Sequence, residues 1–419
     1  MPASVTPPSD KDVHRKRRAH TKSRRGCGNC KLRRIKCDEA KPRCKKCLEY
    51  GVACNYGPAG GVSTGELVLS FGGVSHIEPP RKAAVSTNQT MMDMINYSLR
   101  QSPTSAQGVA LVYQLDMDDM QLLDKFHSRT VLSIGTDKTR SLYQAESFRL
   151  ACMHPFLMHL VLGFTIMHDR SLSPKTKRQT HSELYHWYYG TAIFNSKIPA
   201  PLTRSEKDAM WISSTILGAG SIGSIDATDA EECWPLKDRP STEPDWLTMS
   251  EGKNEIYQLA DLASSESGLK QLVDVCVDDF FSSTSKGAFL RYLPQELVEV
   301  LGLTDPSSYA TSPYYVSADI LSRLMPFEYT ESTLLKFITF LSHMTPEFKN
   351  LFNARDPGAL LLMAYWFAKA CSYQLWWSWR RTVLECQAIC LYLERNHGDL
   401  PHLEKILRFP KSRIGLATC

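Results

Sequence analysis

Cys27-Gly-Asn-Cys30-Lys-Leu-Arg-Arg-Ile-Lys-Cys37-Asp-Glu-Ala-Lys-Pro-Arg-Cys44-Lys-Lys-Cys47-Leu-Glu-Tyr-Gly-Val-Ala-Cys54 decides how the front of this chain folds. The six cysteines repeat with a step of 17, from 27 to 44, 30 to 47 and 37 to 54, so the segment is a duplication. Each half offers three thiolates, whereas a structural zinc takes four ligands in a tetrahedron. Six thiolates serve two zinc ions only if two sulfurs bridge both ions. The first cysteine of each half, Cys27 and Cys44, is the symmetric choice. A segment this short has almost no apolar core, so its folding is expected to depend on the metal.

The two halves differ in what lies between their cysteines. Lys31, Leu32, Arg33, Arg34, Ile35 and Lys36 put four cations and two apolar residues at helical spacing between Cys30 and Cys37. The equivalent stretch after Cys47 is nearly neutral. A C-x-x-C pair at a helix start suits the chemistry, because helix dipole and metal both favour thiolate. The first half therefore reads as a short basic helix buttressed by the second. Arg and Lys are the side chains that donate to guanine O6 and N7 in the major groove.

These residues resemble the fungal Zn(II)2Cys6 binuclear-cluster transcription factors, with no ligand of the family pattern missing. The resemblance implies two zinc ions held by Cys27, Cys30, Cys37, Cys44, Cys47 and Cys54. It implies base reading at Arg34, and to a lesser degree Arg33, beside Lys31 and Lys36. Lys45 and Lys46 are expected on phosphates, which would add salt-dependent affinity without sequence preference. The rival reading of the same residues is a zinc-dependent protein-interaction module without sequence-specific DNA binding.

Charge follows the same division. Residues 11–54 carry 16 Lys and Arg against four acids, a net of +12, while the whole chain is only +5, leaving −7 elsewhere. Such asymmetry marks a nucleic-acid module joined to a body that is not one. The basic clusters at 14–18 and 22–25 suit nuclear import as well as phosphate contact. The first ten residues form no signal-peptide core. The longest uncharged apolar run, 359–368, is about half a membrane span, so no membrane insertion is expected. The seven remaining cysteines are scattered and expected to be reduced, including Cys386 and Cys390 at helical spacing.

The resulting division is a disordered basic arm at 1–26, the cluster at 27–54, a flexible linker at 55–110 and an all-α regulatory domain at 111–419. Gly, Pro, Ser and Thr dominate the linker, which lacks the sustained heptads of a dimerising coiled coil. In the large domain, helical spacing recurs around Leu122 to Phe126, His154 to Met167, Met210 to Leu217, Leu297 to Leu301 and Leu334 to Leu341. Asp356-Pro357 opens the longest helical segment, which is expected to run to about Asn396 and stop at His397-Gly398.

Short echoes in this region resemble the regulatory domain of the sterol uptake control proteins. They are Leu122-Leu-Asp-Lys-Phe-His127, His154-Pro-Phe-Leu-Met-His159, Cys233-Trp-Pro-Leu236 and Trp376-Trp-Ser-Trp-Arg380. The resemblance implies an apolar pocket for a hydrophobic small molecule, with Trp376, Trp377 and Trp379 as candidate lining residues. A buried helix would require the same residue types.

Two motifs imitate enzymes. Gly218-Ala-Gly-Ser-Ile-Gly223 satisfies G-x-G-x-x-G, yet the residues after it offer no long amphipathic helix. Gly61-Val-Ser-Thr-Gly65 mimics a nucleophile elbow but lies in the linker. With no catalytic constellation elsewhere, the expectation is a nuclear, non-enzymatic transcription activator of RNA polymerase II genes. It would read CGG-like half-sites in double-stranded DNA and engage the transcription machinery. Control of a metabolic or secondary-metabolite gene cluster, or of sterol-related genes, is expected from the resemblance.

Overall fold

Pro155–Leu172 and Pro357–Ala370 are the two helices around which the large unit is built, and both are buried through most of their turns. A helix with so little polar face is stable only when neighbours cover it. The computed structural model describes residues 25–27, 30–31, 36–41, 44–46, 87–101, 105–106, 109–110, 113–173, 178–238, 246–276 and 290–415. The chain divides into two units, 1–87 and 88–419.

Among the described residues the second unit holds fifteen α-helices and one two-stranded bridge. In chain order these begin with α1 (Thr87–Arg100), β1 (Ser105–Ala106) and β2 (Val109–Ala110), paired antiparallel. Next come α2 (Met117–Ser128), α3 (Arg140–Ala151), α4 (Pro155–Leu172), α5 (His181–Lys197), α6 (Arg204–Gly223), α7 (Trp246–Ala260) and α8 (Gln271–Cys276). The later helices are α9 (Gln295–Val300), α10 (Tyr315–Leu324), α11 (Leu334–Ser342), α12 (Pro346–Asn353), α13 (Pro357–Ala370), α14 (Trp379–Asn396) and α15 (Leu403–Arg413). The small zinc-cluster segment followed by a mostly helical body is the architecture that the sequence implies.

Local chemistry starts several of these helices. Asp116 and Thr203 each form a capping box, and Asp356 accepts a hydrogen bond from Ala359 N with Pro357 at the first helical position. α4 packs against α2, α5 and α6, whereas α13 packs against α10, α12, α14 and α15. A bidentate pair between Arg170 and the fully buried Glu183, at 2.9 and 3.0 Å, ties α4 to α5. Arg381 at the start of α14 donates to the carbonyls of Ile222 at 2.7 Å and Ser224 at 3.0 Å, satisfying groups at the end of α6. Its remaining charge is matched by Glu385 one turn on, and both side chains are buried.

Two expectations change. The linker expected at 55–110 contains helix α1, whose Met92, Ile95 and Leu99 are buried, so the helical body begins near Asn88 rather than 111. The Asn96 side chain pins α1 by pairing with both backbone groups of Leu115, at 2.7 and 3.1 Å. The segment expected to be one helix from 356 to 396 is two, α13 and α14, separated at 371–378. No Gly or Pro marks that break; tertiary contacts of Leu375, Trp376 and Trp377 hold it. Gly218–Gly223, set aside above as a dinucleotide motif, is the last turn and a half of α6, which lacks the geometry a phosphate-binding turn needs.

Candidate metal centre and nucleic-acid interface

Cys27, Cys30, Cys37 and Cys44 come together with their sulfurs mutually within 4.8 Å, all four buried. The Cys27–Cys44 and Cys27–Cys37 separations are 3.9 Å, and Cys30–Cys44 is 3.6 Å. A tetrahedral zinc with Zn–S bonds of about 2.3 Å requires sulfur–sulfur edges of about 3.8 Å, so these four thiolates fit one zinc. Three come from the first half of the duplication and Cys44 is borrowed from the second. That borrowing is what a bridged pair requires, because Cys27 and Cys44 form the edge that a second ion can share.

Backbone groups support the sulfurs. Lys31 N donates to Cys27 O at 3.1 Å, a helical bond that ties the helical Cys30 and Lys31 back to the first ligand. Glu39 N donates to Cys37 Sγ at 3.4 Å, a bond that steadies a thiolate. Asp38 accepts from Lys45 N through both oxygens at 3.1 Å. Asp38 is neither a zinc ligand nor a cation, so the cysteine spacing and the charge pattern do not mark it. The signal available was an acid placed between a ligand and a helix start.

Around the buried sulfurs the described cations face outward: Arg25, Lys31, Lys36, Lys41, Lys45 and Lys46 are exposed. Among the expected site residues, Lys31, Lys36, Lys45 and Lys46 are therefore on the surface of the segment that carries the sulfur tetrahedron. Arg33, Arg34, Cys47 and Cys54 lie outside the described residues.

The three tryptophans of the candidate ligand pocket occupy different surroundings. Trp377 is 5% exposed, Trp376 is half-buried and Trp379 is 40% exposed. Trp376 Nε1 donates to Ser133 Oγ at 2.8 Å, and Trp377 Nε1 donates to Ser133 O at 3.1 Å. The Trp376 ring stacks on His168 with centroids 4.2 Å apart and planes 3° from parallel. His168 in turn meets Thr130 Oγ1 at 3.0 Å. Protein groups thus engage the N–H groups of both indoles. Burial, with Arg129 nearby, pushes the His168 imidazole down to about 4.

A second polar cluster is buried where the chain enters α2. His159 and His186 meet through Nδ1 atoms 3.0 Å apart, and the Tyr113 ring lies 4.3 Å from His159. Tyr113 donates to Asp119 at 2.7 Å. Burial lowers His159 to about 3 and His186 to about 4, while it raises the Asp119 carboxyl and the Tyr113 phenol. Elsewhere in the core, Cys386 is buried and donates to Ala364 O at 3.4 Å, the behaviour of a core thiol.

A sulfur tetrahedron wrapped in exposed cations defines a zinc–thiolate module of the kind that holds DNA. Residues 25–59 match the fungal Zn(2)-Cys(6) binuclear cluster domain, so this module belongs to that family and binds two zinc ions. The chain is similar to a Zn(2)-C6 fungal-type transcription factor of Gibberella zeae, 23% identical over 393 residues, covering 84% of this chain and 78% of the relative. It is 56% identical to sterol uptake control protein 2 of Saccharomyces cerevisiae over 43 residues, only 10% of this chain and 5% of that protein. It is 28% identical over 180 residues to the aspercryptin biosynthesis cluster-specific transcription regulator of Emericella nidulans, covering 41% of this chain and 27% of the relative. Together the domain and these relatives support a DNA-binding transcription regulator, consistent with a chain that is not an enzyme. No helix among the described residues is long and apolar enough to cross a membrane.

Proposed function

We propose that this chain is a nuclear, sequence-specific activator of RNA polymerase II genes that reads CGG-like half-sites in double-stranded DNA. One observation carries the reading: four thiolates at zinc spacing sit in a segment whose described cations are exposed. In this reading Cys27, Cys30, Cys37 and Cys44 hold one zinc. Cys27 and Cys44 also hold the second, together with Cys47 and Cys54. The metals supply rigidity to a segment with too little apolar surface to fold unaided. The chain's own residues do the recognition. Arg34, with Arg33, donates to guanine edges, and Lys31, Lys36, Lys45 and Lys46 neutralise phosphates.

The body from about 88 onward is proposed as the regulatory part, which engages the transcription machinery. A hydrophobic ligand acting there would find an accessible ring at Trp379 rather than at Trp376 or Trp377. The name of the aspercryptin regulator motivates a gene-cluster role, and that of sterol uptake control protein 2 motivates control of sterol-related genes. The deciding measurement is competition binding of the full chain to a duplex with CGG-like half-sites and to its scrambled counterpart. Preference for the first at physiological salt supports the proposal. Equal affinity for both, or none for either, would favour a zinc-dependent protein-interaction module instead.

A further inference from the structure

Helix starts leave backbone N–H groups without intrahelical partners, and the residue just before the helix commonly caps them with its side chain. At the second half's helix that residue is Cys44, whose sulfur is committed to the thiolate tetrahedron. The cap must come from elsewhere, and it does. Asp38, seven positions earlier, presents both carboxylate oxygens at 3.1 Å to Lys45 N, the first helical amide. The loop that allows this passes through Glu39 at φ 59°, a left-handed conformation that residues with a side chain seldom adopt. There Glu39 N is also turned onto Cys37 Sγ at 3.4 Å. A carboxylate in this place also suits the helix dipole.

We propose that Asp38 is a positioning residue for DNA binding. It holds the start of the second half's helix, and with it the exposed Lys45 and Lys46, in the attitude that lets both ammonium groups meet the phosphate backbone. The proposal rests on the DNA-binding reading above. The role assigned to Asp38 is indirect: it acts through Lys45, whose amide it caps, and the neighbouring Lys46. It links the halves of the duplication through a side chain, in addition to the shared sulfurs. The place corresponding to Asp38 in the second half is Asn55, a residue that also offers an acceptor oxygen.

The test uses full-length wild type, Asp38→Ala and Asp38→Asn, with zinc content and duplex affinity measured across a salt series. Asp38→Ala should keep two zinc ions yet bind specific and scrambled duplexes about fivefold more weakly, equivalent to about 1 kcal/mol for a lost cap. The slope of log affinity against log salt should flatten by about one phosphate contact or more, with the specificity ratio unchanged. Asp38→Asn retains an acceptor and should recover most of the affinity. Loss of zinc in Asp38→Ala would assign the residue to cluster folding and overturn the proposal. Unchanged affinity and slope, or weakening confined to the specific duplex, would overturn it as well. Failure of the wild type to bind any duplex would instead bring down the DNA-binding reading on which the proposal stands.

Discussion

His159 and His186 face each other through their Nδ1 atoms at 3.0 Å, which requires one nitrogen to carry hydrogen and the other to be bare. Both rings are buried and neutral, His159 held down to about 3 and His186 to about 4. In the unfolded chain each would titrate near 6.5. Below that value the unfolded state takes up protons that the folded state refuses, so stability is full above pH 6.5 and falls as pH drops toward 4.

Thermal melts of the full chain should therefore show a lower Tm at pH 5 than at pH 7. The loss should amount to on the order of 1 kcal/mol per buried histidine for each pH unit below 6.5. His159→Gln should make that decline shallower. An identical pH dependence in wild type and variant would show that other groups control it.

Zinc stoichiometry separates the roles of the six cysteines. Cys27→Ala or Cys44→Ala should strip a ligand from both ions and lower the bound metal furthest, while Cys30→Ala should disturb one site first. Structural zinc in such modules is worth on the order of 10 kcal/mol or more, so DNA binding should disappear with the metal. A wild type that binds a single zinc with six unmodified thiols would contradict the bridged arrangement.

Reading and holding should separate by mutation. Arg34→Ala is expected to lose roughly 1–3 kcal/mol of discrimination for a CGG-like duplex over a scrambled one. Lys45→Ala or Lys46→Ala should weaken both duplexes alike and flatten the salt dependence. Competition titrations supply the comparison, and equal weakening of both duplexes by Arg34→Ala would show that another residue reads the bases.

The tryptophans differ enough in environment to be ranked. Trp377→Ala should cost roughly 3–5 kcal/mol, as for a large aromatic removed from a core. Trp379→Ala, at 40% exposure, should stay within about 0.5 kcal/mol. Melts with and without a sterol panel then test the ligand reading: stabilisation lost in Trp379→Ala would support it, and no shift with any sterol would argue against it.

Two glycines of the false dinucleotide motif should respond oppositely to alanine. A Cβ at Gly220 would clash with the edge of the Trp187 ring, so Gly220→Ala should destabilise by roughly 1–3 kcal/mol. Nothing lies within 4 Å of a Cβ built at Gly218, so Gly218→Ala should stabilise α6 by up to about 1 kcal/mol. Urea unfolding of the two variants checks the sign.

What the sequence reveals depends on whether a signal is local. Ligand count, basic helix and charge division are all contained within residues 11–54, and helices such as α4 and α13 announce themselves by dense apolar stretches. The start of α13 was legible because Asp356 and Pro357 cap it, and the end of α14 because His397-Gly398 follows. The break between them was not, since residues 371–378 contain no helix breaker and owe their shape to Ser133 and its neighbours. α5 escaped notice because its stripe mixes Tyr, Trp and His with Gly rather than aliphatic residues. Asp38 was missed for the same reason as the break: its partner, Lys45 N, is a backbone group with no sequence signature.

The meeting of Ser133 with Trp376 and Trp377 joins positions more than 240 residues apart. During synthesis at roughly 5–20 residues per second, on the order of ten seconds or more must pass between the emergence of the serine and that of the indoles. The cysteine segment is complete by residue 54 and can take up zinc throughout that wait. The growing polypeptide thus acquires its metal-stabilised end, and α2 to α6 can already pack on one another, before the indoles that meet Ser133 emerge. For that interval the side of α4 that carries Phe164 and His168 waits for the ring of Trp376.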